Sequence, residues 1–208
     1  MKVRNLIPVL LVLVGCSEPM PRNVDTLVQQ GDVYLDRETM LPYSGPIFLL
    51  REDDSSKVQI STTLKDGLFH GPFEGYHENG QLDTKGSYSN GKLDGLWEHY
   101  YEDGRLSGKN SYSDGKEDGP FESYYANGQL MAKRSYSNAE QDGPFESYYE
   151  DGQLWVKGSY SNGEYDGPYE SYYENGQLVL KGSFSNGERC GEWMEEGETV
   201  TYDPCPSN

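Results

Sequence analysis

The feature that most constrains this chain is a period. Gly71, Gly95, Gly119, Gly143, Gly167 and Gly191 stand 24 residues apart, and the residues between them repeat as well. One copy, 142–165, reads Asp-Gly-Pro-Phe-Glu-Ser-Tyr-Tyr-Glu-Asp-Gly-Gln-Leu-Trp-Val-Lys-Gly-Ser-Tyr-Ser-Asn-Gly-Glu-Tyr. Five full copies occupy 71–190, a partial copy follows in 191–208, and Tyr43-Ser44-Gly45-Pro46 opens a degenerate one inside a lead-in of 26–70. A period of this length specifies a repeat architecture, in which each unit buries its apolar face only against its neighbours.

Each unit carries two turn signals. Asn79-Gly80, Asp103-Gly104, Asn127-Gly128, Asp151-Gly152 and Asn175-Gly176 form one set. Asn90-Gly91, Asp114-Gly115, Asn138-Ala139, Asn162-Gly163 and Asn186-Gly187 form the other. Such dipeptides supply the positive φ that type I′ turns need, and the short runs of Tyr, Phe, Ser, Leu and Val between them lack helical spacing. The expected unit is therefore a β-hairpin. The expected fold is all-β, an elongated meander of stacked antiparallel hairpins forming a single-layer twisted sheet or rod.

Two-residue turns fix a register. Tyr173 faces Leu178, Tyr172 faces Val179, and Glu170 faces Lys181. Alternation then places Tyr169, Tyr173, Leu178, Leu180 and Phe184 on one face, with Glu170, Tyr172, Val179, Lys181 and Ser183 on the other. Glu74 with Lys85, Glu98 with Lys109, Glu122 with Lys133 and Glu146 with Lys157 become cross-strand pairs, each contributing roughly 0.2–1 kcal/mol. The two turns are unevenly spaced, so a break is expected at Gly167-Pro168 and its equivalents. Ala139 at a positive-φ position costs on the order of 1 kcal/mol, which predicts a different turn there.

The chain holds 35 acidic and 17 basic side chains, a formal charge of −18, with 34% hydrophobic residues but 18 tyrosines. Such acidity disfavours nucleic acid as a partner. At the amino end, Lys2 and Arg4 precede an apolar run from Leu6 to Val14, too short to span a bilayer comfortably. The run ends in Leu13-Val14-Gly15-Cys16, which resembles the bacterial lipobox. By that resemblance 1–15 is a lipoprotein signal peptide, Cys16 carries the lipid, and Ser17 after it favours the outer membrane. Two or more acyl chains, at ~0.8 kcal/mol per buried methylene, anchor stably. The residues 16–25, with Pro19 and Pro21, read as an extended tether.

The pattern Tyr-Tyr-x-Asn-Gly-x-Leu-x-x-Lys-Gly-x-Tyr-x-x-Gly-x-x-Asp-Gly-x-Phe resembles MORN repeats, and more closely the bacterial MORN-variant repeat whose members are often labelled YwqK-type antitoxin-like. The resemblance covers roughly 43–202. It implies a rod or curved sheet of hairpins and a scaffold or interaction module.

Enzyme chemistry has no visible foothold. His70 and His77 are substitutions within the repeat, and His99 has no close partner ligand, so no metal site and no cofactor are expected. Nucleophile elbow, P-loop and zinc-protease motifs are missing, and the carboxylates follow the repeat instead of breaking it. Outside the cytoplasm, Cys190 and Cys205 suggest a disulfide over the last edge strand, roughly 3 kcal/mol in the chain-entropy model, with free thiols as the alternative. Tyr76, Tyr100, Tyr124, Tyr148 and Tyr172 recur on one face ~10 Å apart and form the candidate binding face. The reading that follows is a non-enzymatic envelope scaffold on a lipid anchor, meeting a protein partner or its own copies. The alternatives are carbohydrate or cell-wall binding through the tyrosine column, and an antitoxin or immunity protein.

Overall fold

A computed structural model of the protein describes residues 19–206 and is nearly all strand. The proposed signal peptide and Cys16 lie outside the described residues. One 18-stranded sheet runs antiparallel in chain order from Gly45–Leu50 to Glu198–Thr201, with the short strand Arg22–Asn23 added in parallel beside the first of these. Each unit gives it two long strands, as in Leu154–Ser161 and Gly167–Tyr172, joined by turns alternating between the two edges. The degenerate unit is built the same way from Gly45–Leu50 and Val58–Lys65, with a longer loop between them.

The two turn sets differ, which corrects the expectation of type I′ turns throughout. In the second set both central residues have positive φ, as at Asn162 (48°) and Gly163 (83°). In the first set only the glycine does, as at Gly176 (78°). There Gly176 N donates to Tyr173 O and Tyr173 N donates to Gln177 O, the pattern of a type I turn closed by a glycine bulge. The extra residue makes Tyr172, not Tyr173, the partner of Leu178, and leaves Val179 in the bulge. Beyond it the expected register holds, with Glu170 opposite Lys181 and all four equivalent pairs in place.

The break within each unit falls at Asp166-Gly167, one residue earlier than expected. Gly167 takes φ 96°, while Pro168 already pairs with Ser183. Ala139 does not change its turn. It adopts φ 74°, because its N–H is held by Glu117 O at 2.7 Å, just as Gly163 N is held by Gln141 O.

One face of the sheet is packed by rings. Trp97, Phe145 and Trp193 are buried and lie across glycines of an adjacent strand. A Cβ on Gly86 would sit 2.2 Å from Trp97, one on Gly182 2.2 Å from Trp193, and one on Gly158 2.7 Å from Phe145. Glycine is required there by close approach, not by backbone angle.

Different devices close the two ends. A two-stranded hairpin, Leu27–Gln30 with Val33–Asp36, folds over the amino end, where Leu27, Ile47 and Leu64 form a small core with Val24, Tyr34, Tyr43 and Phe69. Part of the expected tether belongs to the sheet, since Arg22 and Asn23 pair in parallel with Ile47 and Phe48. At the carboxyl end Trp193 is fully covered, and Arg189 stacks 4.4 Å above its ring. Cys190 and Cys205 are joined as a disulfide that ties the returning chain to Glu188–Glu195. It does not cover the last strand, as the sequence led us to expect. Glu198–Thr201 stays exposed as the edge, with Glu198 among the charges that discourage further pairing there.

Candidate interaction face

The face opposite the rings is polar and continuous. Along each Gly-x-x-Glu-x-Tyr strand the glutamate and the first tyrosine are two residues apart, so both project the same way. Tyr148 Oη donates to Glu146 Oε2 at 2.7 Å and Tyr172 Oη to Glu170 Oε2 at 2.6 Å. Tyr76 and Tyr124 donate in the same way to Glu74 and Glu122. Tyr100 instead lies under the ammonium of Lys85, 5.6 Å from its ring centre. The five tyrosines therefore share one face, and the hydroxyls of four of them point along the sheet to carboxylates. What they leave outward is partly covered ring.

The charges form one line. Since each lysine strand but the last is flanked by a glutamate strand on both sides, Glu74, Lys85, Glu98, Lys109, Glu122, Lys133, Glu146, Lys157, Glu170 and Lys181 follow one another across ten strands. The ion pairs mostly join different units, which the sequence reading had placed within hairpins. Lys85 reaches Glu98 at 2.7 Å, Lys109 reaches Glu122 at 2.9 Å, and Lys157 reaches Glu170 at 2.8 Å. Only Lys181 turns back to the glutamate of its own hairpin, Glu170, at 3.1 Å.

Glu170 thus has three partners. Lys157, then Tyr172, pulls its pKa down to about 2. Glu98 is lowered chiefly by Lys85, and Glu122 chiefly by Tyr124. The tyrosines move the opposite way, since a neighbouring carboxylate opposes phenolate formation. Tyr76 and Tyr148 are both pushed up to about 12, mainly by Glu74 and Glu146.

The second tyrosine of each Tyr-Tyr pair reaches into the following unit. Tyr101, Tyr125 and Tyr149 donate to the backbone carbonyls of Tyr124, Tyr148 and Tyr172 at 2.6, 2.8 and 2.8 Å. His77 stands in this row and makes the same contact through Nε2, 2.8 Å from Tyr100 O. Asn79 and Asn127 add side-chain bonds to Glu102 O and Glu150 O in the next turn. His70 and His99 have their own local partners, Asn90 N and Thr84 Oγ1, and the three histidines do not converge. Among the described residues no three acids, histidines or cysteines gather as metal ligands.

Trp155 is an exposed aromatic that the sequence pattern did not bring forward. It stands where other units have Asp83, Ser107, Met131 and Val179, which is the signal that was available. Its ring packs 6.0 Å from that of Tyr149, yet half its surface is exposed. Beside the polar face, a depression of about 420 Å³ lies between two units, lined by Pro144, Glu146, Lys157, Ser159, Pro168 and Glu170.

A family model described as MORN repeat variant matches residues 69–90, 93–114, 117–138, 141–162 and 165–186. No curated protein matches the chain.

Proposed function

The chain belongs to the MORN repeat variant family, and from that membership we propose a non-enzymatic, lipid-anchored envelope protein that offers its charged, tyrosine-bearing face to a protein partner. The observation that carries this reading is the ten-strand alternation of glutamate and lysine with a tyrosine seated beside each glutamate. A partner meeting it finds the same chemistry every two strands, ~10 Å apart, which suits an extended or repetitive surface. The anchor rests on sequence: the charged start, the short apolar run and Cys16.

Acylated protein purified from membranes should retain its partner, and Tyr148→Ala combined with Tyr172→Ala should release it without loss of β structure. Equal capture by both proteins would remove the face from consideration. A glycan reading is favoured by one observation, the half-exposed ring of Trp155 beside Tyr149. Retention on cell-wall polysaccharide that disappears in Trp155→Ala would replace the protein-partner reading with that one.

A further inference from the structure

The two most exposed large apolar side chains among the described residues are Met20, at 85%, and Leu41, at 64%; Met40, beside Leu41, is 48% exposed. All three lie at the amino end. Met40 and Leu41 form the tip of a braced loop. Asp36 Oδ1 accepts from Glu38 N, Thr39 N and Thr39 Oγ1, while Met40 N donates to Asp36 O and Asp36 N to Leu41 O. Met40 is held at φ 56°, a conformation that a non-glycine residue keeps only where its surroundings impose it. The other Asp36 oxygen accepts from the Arg22 guanidinium at 2.6 Å, and Arg22 lies over the Tyr43 ring at 5.1 Å. That clamp ties the loop to the segment beginning at Pro19 and Met20. Arg37, in the same loop, donates to Asp25 O; with Arg22 paired to Asp36 and Glu38 beside Arg37, the charges around the tip are close to balanced.

Cys16 is four residues before Met20, so at ~3.3–3.6 Å per residue their Cα atoms are at most about 14 Å apart. An acylated cysteine at a bilayer interface therefore keeps Met20 near the headgroups, and the Arg22–Asp36 clamp brings the loop with it. Exposed apolar side chains among balanced charges suit that boundary, and the acidic repeats are repelled by anionic lipid. We propose that Met40 and Leu41 seat the amino end on the membrane that holds Cys16, so that the repeat array projects away from the bilayer instead of lying along it. This rests on the lipid-anchor reading and adds an orientation to it.

The test uses full-length acylated protein in vesicles of phosphatidylethanolamine and phosphatidylglycerol, with a fluorophore at Leu41→Cys or, in the repeats, at Ser113→Cys. Acylated Cys16 and the Cys190–Cys205 disulfide leave the introduced thiol as the one free cysteine. Headgroup-borne nitroxide should quench position 41 roughly threefold more than position 113. Equal quenching at both positions in protein shown by mass spectrometry to be acylated overturns the orientation and leaves the anchor standing. Quenching at 41 only after a second envelope protein is added assigns the loop to that protein and also overturns it. Protein that is unacylated and does not sediment with vesicles removes the anchor and the orientation together.

Discussion

The ring-packed face is continuous at the two ends of the array and interrupted in the middle. From Phe145 onward the rings of Tyr160, Tyr165, Phe184, Trp193 and Tyr202 touch in series, at centroid distances of 5.0, 4.5, 5.0, 4.9 and 6.3 Å. Near the amino end Phe69, Tyr88, Trp97 and Tyr112 do the same. Between them Phe121 meets only Tyr136 among the described rings. The cause is one position per unit. Gly86, Gly158 and Gly182 let a ring lie flat over the strand, whereas Asn110 and Arg134 fill that space in the middle units. Asn110 is buried, donates to Tyr112 Oη at 2.7 Å, and leaves its own Oδ1 without a partner. A repeat can keep its fold while its packing changes character, provided the turns and the ladder are kept.

Breaking the stronger region should cost most. Trp193→Ala empties a fully covered site and should lower the free energy of unfolding by about 3–5 kcal/mol in urea titrations, while Phe121→Ala in the middle should cost clearly less. Gly182→Ala, whose new methyl would meet Trp193, should cost about 1–3 kcal/mol by the same measurement. A result near zero would mean that the ring has room to shift, and would undo the account of why glycine stands there. Asn110→Gly should bring the middle closer to the ends. Removal of a buried unpaired carbonyl offsets the added chain freedom and the lost Tyr112 bond, leaving a gain of about 1 kcal/mol or less. Ala139→Gly, also in the middle, should stabilise by roughly 0.5–1 kcal/mol through relief of its positive φ.

The smallest effect concerns the other face at the carboxyl end. Glu170 has a depressed pKa of about 2, so its contribution is complete above the ordinary carboxylate range and is lost as pH falls from about 4.5 through 2. Carbon-13 titration of the Glu170 carboxyl should show that midpoint, and Lys157→Met should move it upward. An unshifted midpoint would mean that the ladder is ordered only loosely.

Much of this was legible in the sequence, for a physical reason. A period of 24 is even, so alternation assigns faces identically in each unit, and Glu170 opposite Lys181 followed from counting. Counting could not choose between the two glutamates beside each lysine from Lys85 to Lys157, because that depends on side-chain reach across a twisted sheet. It also misjudged the Asn175-Gly176 turn, since the same dipeptide serves a type I turn with a glycine bulge as readily as type I′. The docking of Arg22 was hidden by its proline-rich neighbours, and Trp155 by the regularity around it. The tyrosine column was found, but a hydroxyl bound to a carboxylate two residues away leaves no trace in a pattern of spacings.

The turn-to-turn bonds have a consequence for how such a gene can change. Tyr101, Tyr125 and Tyr149 all reach 23 residues ahead, to a carbonyl that every full unit provides. Duplication or deletion of a whole 24-residue block therefore reconnects like with like at the seam. Reach becomes an inheritable variable, adjustable in steps of ~10 Å, while the two terminal closures stay as they are.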